Sequence, residues 1–176
     1  MKINLLIAIL PALIFVFGCT RNSEEKSETT YRQIKYKKRT PDSKKKGLFL
    51  DIEQATLDNY DYRSVLYTGK NLQLAIMSLE PGEDIGWETH ARSDQFIRVE
   101  QGTGICLLND EAYELNPNAI VLIPSGARHN ILNNNDSLEL KLYTLYARPV
   151  HKDKISRSTK EEAREKGEHF DGETTE

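Results

Sequence analysis

Glu88 and His90 stand two residues apart, Gln95 follows five residues after His90, and His129 lies further along the chain. One carboxylate, two imidazoles and an amide can all donate lone pairs to a divalent cation. Alternation in a β-strand puts residues i and i+2 on one face. Glu88 and His90 are therefore expected to share a face. Gln95 is expected to point inward with Ile97 and Val99, and His129 to share a face with Ile131 and Asn133. Burying such groups without partners costs about 1–3 kcal/mol each. A shared divalent metal is one way to lower that cost, and a polar network with trapped water is another.

The elements that position these residues read as β throughout. Between Arg63 and Pro149, strand-like runs alternate with turn signals: "NLQLAIMSL" before "EPGED", "QFIRVE" before "QGTG", "GICLLN" before "NDE". "AIVLIP" is apolar throughout and is expected to be buried on both faces. "LELKLYTLYA" is expected to set Leu138, Leu140 and Leu142 against Glu139 and Lys141 on the opposite face. Short strands with frequent turns mean a sandwich or barrel. No internal repeat is visible.

The spacing then resembles the two motifs of the cupin superfamily. Gly82 is followed by five residues, Glu88-Thr89-His90, four residues, Gln95, six residues and Gly102. Asn118 opens the second motif, with Pro124-Ser125-Gly126, His129 and Asn133 in its remaining positions. The resemblance covers about Arg63 to Ala147. "YRSVLYTGKNLQLAIMSLEPGEDIGWETH" and the terminal "HFDG" are similar to small single-domain bacterial cupins labelled mannose-6-phosphate isomerase-like. The resemblance implies an all-β cupin (double-stranded β-helix, jelly-roll) barrel. It also implies a metal quartet of Glu88, His90, Gln95 and His129. Where the usual quartet has three His and one Glu, Glu88 replaces the first His and Gln95 replaces the Glu. Two His and one carboxylate suit Fe(II), Mn(II) or Zn(II), with the Gln95 amide oxygen a weaker fourth donor. Alternatives stay open: Gln95 hydrogen-bonding His90 or a water, and Glu88 pairing with Arg92 or Arg128. His151 and Trp87 read as structural and rim residues.

The ends of the chain carry a different message. Lys2 precedes an apolar run from Leu5 to Phe17, broken only by Pro11. Thirteen residues are too few to span a bilayer, which needs about 20, so residues 1–18 read as a secretory signal. "VFGC" resembles the lipobox of bacterial lipoproteins, which makes Cys19 the lipidation site. Thr20 stands where an Asp would resemble the inner-membrane retention signal, so the expectation is an outer-membrane lipoprotein of the cell envelope, facing periplasm or surface. Cys106 is left without a partner and reads as a packed thiol. Residues 19–46 are polar and read as a disordered tether, with seven basic residues between Lys35 and Lys46. The barrel is expected over 47–151. Thr159 and Glu162 have capping-box spacing, so 152–176 reads as a short helix followed by a frayed acidic tail. A net charge of -3, with much of the basic charge in the tether, argues against nucleic acid.

The function expected is a lipid-anchored, exported barrel that holds a divalent metal and a small polar ligand, with isomerase- or dioxygenase-type chemistry open. The alternative is a non-enzymatic module that captures a carbohydrate or organic acid in a metal-free polar interior. The expected partners are the membrane, through the anchor, and a small molecule; a homodimer is allowed.

Overall fold

The structure is a computed structural model, and it describes residues 44–176. The signal segment, Cys19 and nearly all of the tether lie outside the described residues. Among the described residues two short helices, α1 (Ile52–Leu57) and α2 (Lys160–Glu165), accompany nine strands. These are β1 (Arg63–Thr68), β2 (Gln73–Leu79), β3 (Asp94–Gln101), β4 (Gly104–Leu108), β5 (Glu111–Leu115), β6 (Ile120–Ile123), β7 (His129–Leu132), β8 (Leu140–Ala147) and β9 (Ser156–Arg157). A six-stranded sheet runs β6-β3-β8-β2-β1-β9, and a three-stranded sheet runs β5-β4-β7. Every pairing is antiparallel. This is the expected all-β cupin architecture with a short C-terminal helix.

Inward-facing residues of the two sheets form the core. Met77, Leu79, Ile97, Val99, Cys106, Ile131, Leu140 and Leu142 are all buried in one cluster. Removing such apolar surface from water, at roughly 25 cal/mol per Å², drives the sheets together. Cys106 is fully buried, and that burial pushes its thiol up to about 11, so it is a packing residue, as expected. Gly102 turns the hairpin between β3 and β4 at φ 83°, and an added Cβ there would collide with the Glu139 carbonyl.

Two expectations fail, and two features, the burial of Lys141 and helix α1, were not foreseen. "AIVLIP" is not buried on both faces: Ile120 is 57% and Leu122 68% exposed, because β6 is the edge strand of its sheet. Lys141 is buried rather than solvated. Its ammonium donates to the Leu57 carbonyl at the end of α1 (2.8 Å) and lies over the Tyr60 ring (3.9 Å). Helix α1 itself, capped by Asp51, which accepts from the Gln54 N–H, was not foreseen. Finally, the chain after His151 is built into the fold. Strand β9 pairs with β1, and Thr159 caps α2 by accepting from the Glu162 N–H, as its spacing predicts. The acidic end is stitched down rather than frayed, with Thr175 N–H donating to the Thr68 carbonyl (2.7 Å) and Lys70 N–H donating to the Glu176 carboxylate (2.7 Å).

Candidate metal centre

Glu88 and His90 do not lie on a regular strand, which corrects the alternation argument. They sit in a loop between β2 and β3 that touches β7 through single bridges, Asp84 opposite Leu132 and Glu88 opposite His129. At the second bridge the backbones exchange both hydrogen bonds: Glu88 N–H to the His129 carbonyl (2.9 Å) and His129 N–H to the Glu88 carbonyl (3.0 Å). Gly126, at φ 85°, turns the chain so that its N–H donates to the His90 carbonyl (3.0 Å). The loop is thereby fixed to the strand that carries His129. Convergence comes from this backbone pairing and not from i, i+2 alternation.

The side chains meet. Glu88 Oε2 lies 3.3 Å from His90 Nε2 and 3.9 Å from His129 Nε2. One ligand atom from each of the three lies within 4.8 Å of the others. His129 is fully buried, and its Nδ1–H donates to the Ala127 carbonyl (3.1 Å), which turns the Nε2 lone pair toward Glu88. Burial lowers the His129 pKa despite that hydrogen bond, so its imidazole is neutral near pH 7. Burial alone would raise the Glu88 carboxyl, but His90 and Arg63 together outweigh it and hold it below its ordinary value.

Gln95 faces the same interior. It pairs across strands with Tyr146, and Ile97 pairs with Thr144, so all four share a face. The Gln95 amide donates to the Thr144 hydroxyl (3.1 Å), and the Tyr146 ring meets the His90 ring edge-on at 5.5 Å. Thr144 thus occupies the donor end of the amide and leaves its oxygen free.

Among the described residues, Glu88 Oε2, His90 Nε2, Gln95 Oε1 and His129 Nε2 are all buried without a hydrogen-bond partner. Glu88 Oε2, Gln95 Oε1 and His129 Nε2 are acceptors, and each unpaired buried polar atom costs about 1–3 kcal/mol. Acceptors cannot satisfy one another, so their partner has to be a cation or a donor, and an Nε2–H on His90 would be such a donor toward Glu88. Two ligand atoms about 2.1 Å from one metal lie about 3.0–3.4 Å apart in octahedral or tetrahedral geometry. The Glu88–His90 separation already fits, and His129 needs only a small approach. Two imidazole nitrogens and one carboxylate form a cluster that could hold a divalent metal.

A second group completes the cavity wall, and most of it was not anticipated. Arg63, 4% exposed, lies 3.5 Å from Glu88 Oε1 and 2.5 Å from Glu168 Oε2. Glu88 therefore pairs with Arg63, and not with Arg92 or Arg128; Arg128 instead lies over the Trp87 ring at 3.7 Å. His151 places Nδ1 3.4 Å from Glu168 and Nε2 3.3 Å from the Tyr146 hydroxyl. Burial, with Arg63 beside it, lowers the His151 pKa. Burial works the other way on Glu168, but His151 and Arg63 overcome it and keep that carboxyl low. Glu168 arrives on the C-terminal segment, which is tied to the chain after β8 by Lys152 N–H to the Glu168 carbonyl and Phe170 N–H to the Val150 carbonyl, both 2.8 Å. No periodicity in "EKGEHFDGE" marks Glu168. Its one sequence signal is the terminal "HFDG" that follows it. The cavity bounded by these residues measures about 780 Å³.

Comparisons with known proteins agree with this architecture. A cupin domain model matches residues 75–146. The crystal structure of the Bacillus halodurans protein BH2720 superposes with a TM-score of 0.66 at 36% identity, covering 70% of this chain and 97% of that one. YrkC of Bacillus subtilis is 40% identical over 112 residues, covering 60% of each chain. L612 of Acanthamoeba polyphaga mimivirus is 40% identical over 105 residues, covering 58% of this chain and 66% of that protein. This chain thus spans less than two thirds of the length of either of those two relatives. The protein belongs to the cupin superfamily, with a His/Glu cluster able to hold a divalent metal.

Proposed function

We propose that this cupin binds one divalent metal, Fe(II), Mn(II) or Zn(II), through Glu88, His90 and His129, with Gln95 as a weaker fourth ligand, and takes a small polar molecule into the adjoining cavity. The observation that carries this reading is the set of four buried, unpartnered polar atoms aimed into one interior. The metal, when bound, supplies Lewis acidity or an O2-binding site. The chain's own groups do the rest: Arg63 holds the Glu88 carboxylate by one oxygen, and Ala127 fixes the His129 tautomer. The His151–Glu168 pair adds two titratable groups to the cavity lining. Titration calorimetry tests the ligand set. His90→Ala and His129→Ala should each abolish metal binding, and Gln95→Ala should weaken it less. Gln95→Glu should tighten it while destabilising the metal-free protein, because two buried acids then lie together. Unchanged affinity in all four variants contradicts the proposal.

The same reading places the protein in the cell envelope as a lipoprotein anchored through Cys19, which is supported by the apolar run ending in Gly18-Cys19. Among the described residues no helix is long and apolar enough to cross a membrane. Cys19→Ala should yield an unprocessed or soluble protein. Labelled palmitate incorporated into that variant would contradict the anchor.

A further inference from the structure

The charge around the cavity is unbalanced. Five cations line it, Arg63, Lys70, Arg92, Arg148 and Arg164, against two carboxylates, Glu88 and Glu168. Arg63 is consumed by those two acids. Lys70 has Glu176 beside it. Arg92, Arg148 and Arg164 remain, all exposed at the cavity and, among the described residues, without an ion pair. Away from the cavity, Arg98, Lys141, Lys160 and Lys166 are each paired with an acid, while Arg128 lies over the Trp87 ring and Lys154 donates to the Leu66 carbonyl. In a chain of net charge -3, three unpaired guanidiniums around one opening form a local excess of positive charge.

The position of Arg148 is also built. Its φ is 113°, a region that non-glycine residues enter at a cost of about 1–3 kcal/mol. Two neighbours hold it there. The buried Ser93 hydroxyl donates to the Arg148 carbonyl (2.8 Å), and the preceding residue, Ala147, pairs with Asp94 across β3 and β8. Asp94 in turn accepts from the Ser125 N–H (2.8 Å), which ties this edge to the turn behind His129. Arg92 stands next to Ser93 on the same stitched edge. Arg164 comes from α2, the element that also leads to Glu168. The cationic rim is thus carried on backbone fixed in advance, which lowers the ordering cost of binding.

We infer that the cavity takes a small oxyanion-bearing ligand, a carboxylate or a phosphate ester, held at its anionic end by Arg92, Arg148 and Arg164 while its other end reaches toward Glu88 and His90. Guanidinium forks match both oxyanions in geometry and charge, and a neutral sugar would leave them unused. This inference rests on the barrel cavity being the ligand site proposed above.

The test uses the purified full chain and three probes on one scaffold: glucose, gluconate and glucose 6-phosphate, which are neutral, a carboxylate and a phosphate ester. Binding is measured by calorimetry, with metal content determined on the same samples. At least one of the two anions should bind at least about tenfold tighter than glucose, and the stronger of the two identifies the oxyanion. Their affinity should fall as salt rises from about 0.05 to 0.5 M. Arg92→Gln should weaken anion binding about tenfold. The triple variant Arg92→Gln, Arg148→Gln, Arg164→Gln should bring it to the level of glucose with metal content unchanged. Arg92→Gln on its own keeps the test valid should the strained Arg148 position tolerate substitution poorly. Anion binding that is no tighter than glucose, or that survives in the arginine variants, overturns the inference. Metal-loaded protein with arginine-independent anion binding would leave the metal site standing and remove this inference alone. Metal-free protein with arginine-dependent binding would do the reverse.

Discussion

The cavity has two walls made by different means. One wall is the barrel side, where Glu88 and His90 line the cavity on a loop bridged to His129 of β7. The other wall is largely a strap, in which residues 159–170 bring Arg164 and Glu168 against Arg63 and His151. The first wall offers unpartnered acceptors. The second offers an ionic network in which Arg63, His151 and Arg157 gather around Glu168, while Arg164, among the described residues, stands without an acid beside it. Affinity for a cation belongs to the first wall, and closure and ligand charge to the second. One polar interior can therefore offer lone pairs to a metal on one side and paired charges on the other, although Arg63 Nε, His151 Nδ1, Arg157 Nε and Glu168 Oε1 there also lack a hydrogen-bond partner.

That difference can be broken experimentally. Glu168→Ala should be the most damaging single change, costing about 3–5 kcal/mol, because it leaves Arg63 buried without its closest carboxylate. A urea titration followed by far-UV circular dichroism measures it, and a loss under 1 kcal/mol would mean the strap only rests on the barrel. Gln95→Glu comes next, with a loss of about 1–3 kcal/mol in metal-free protein that added Mn(II) or Zn(II) reverses. Such a rescue by metal is expected for the first wall and not for Glu168→Ala.

Acidity should separate the walls as well. In metal-free protein His129 and His151 both titrate below their ordinary value of 6.5, so the unfolded chain binds protons that the folded chain refuses. Stability should then fall as pH drops below about 6.5. It should fall again below the ordinary carboxyl value of 4.5, because Glu88 and Glu168 are held low in the fold and that contribution is lost as they protonate. Thermal melts between pH 8 and pH 4 should show this monotonic decline, and a flat profile would count against both buried histidines. The smallest effect belongs to the edge strand: Leu122→Ser should change stability by less than about 0.5 kcal/mol, since that side chain is 68% exposed.

The two walls were not equally legible in the sequence. Turn glycines, alternating apolar residues and motif spacing were sufficient for the all-β barrel and for the meeting of Glu88, His90 and His129. Gln95 was readable because Ile97 and Val99 share its face and are core residues. The strap was not readable, because its partners are remote: Arg63 and Glu168 are 105 residues apart, and nothing local to either signals the other. Exposure of "AIVLIP" was misread for a related reason. An apolar run reveals strand propensity, but whether a strand is central or at an edge depends on the order of strands in the sheet. Lys141 shows the converse, since a charged residue in an alternating strand is buried where the Leu57 carbonyl of α1, the Glu139 carboxylate and the Tyr60 ring meet its ammonium.

The central claim is that the four polar atoms share a metal. Elemental analysis of protein purified without chelators or added metal addresses it directly, comparing wild type with His129→Ala. Close to one equivalent of iron, manganese or zinc per chain in the wild type, and none in the variant, is the result this account predicts. Equal metal in both proteins, or a folded wild type with no metal that binds none on titration, would contradict it and leave Glu88, His90, Gln95 and His129 as a hydrated polar network.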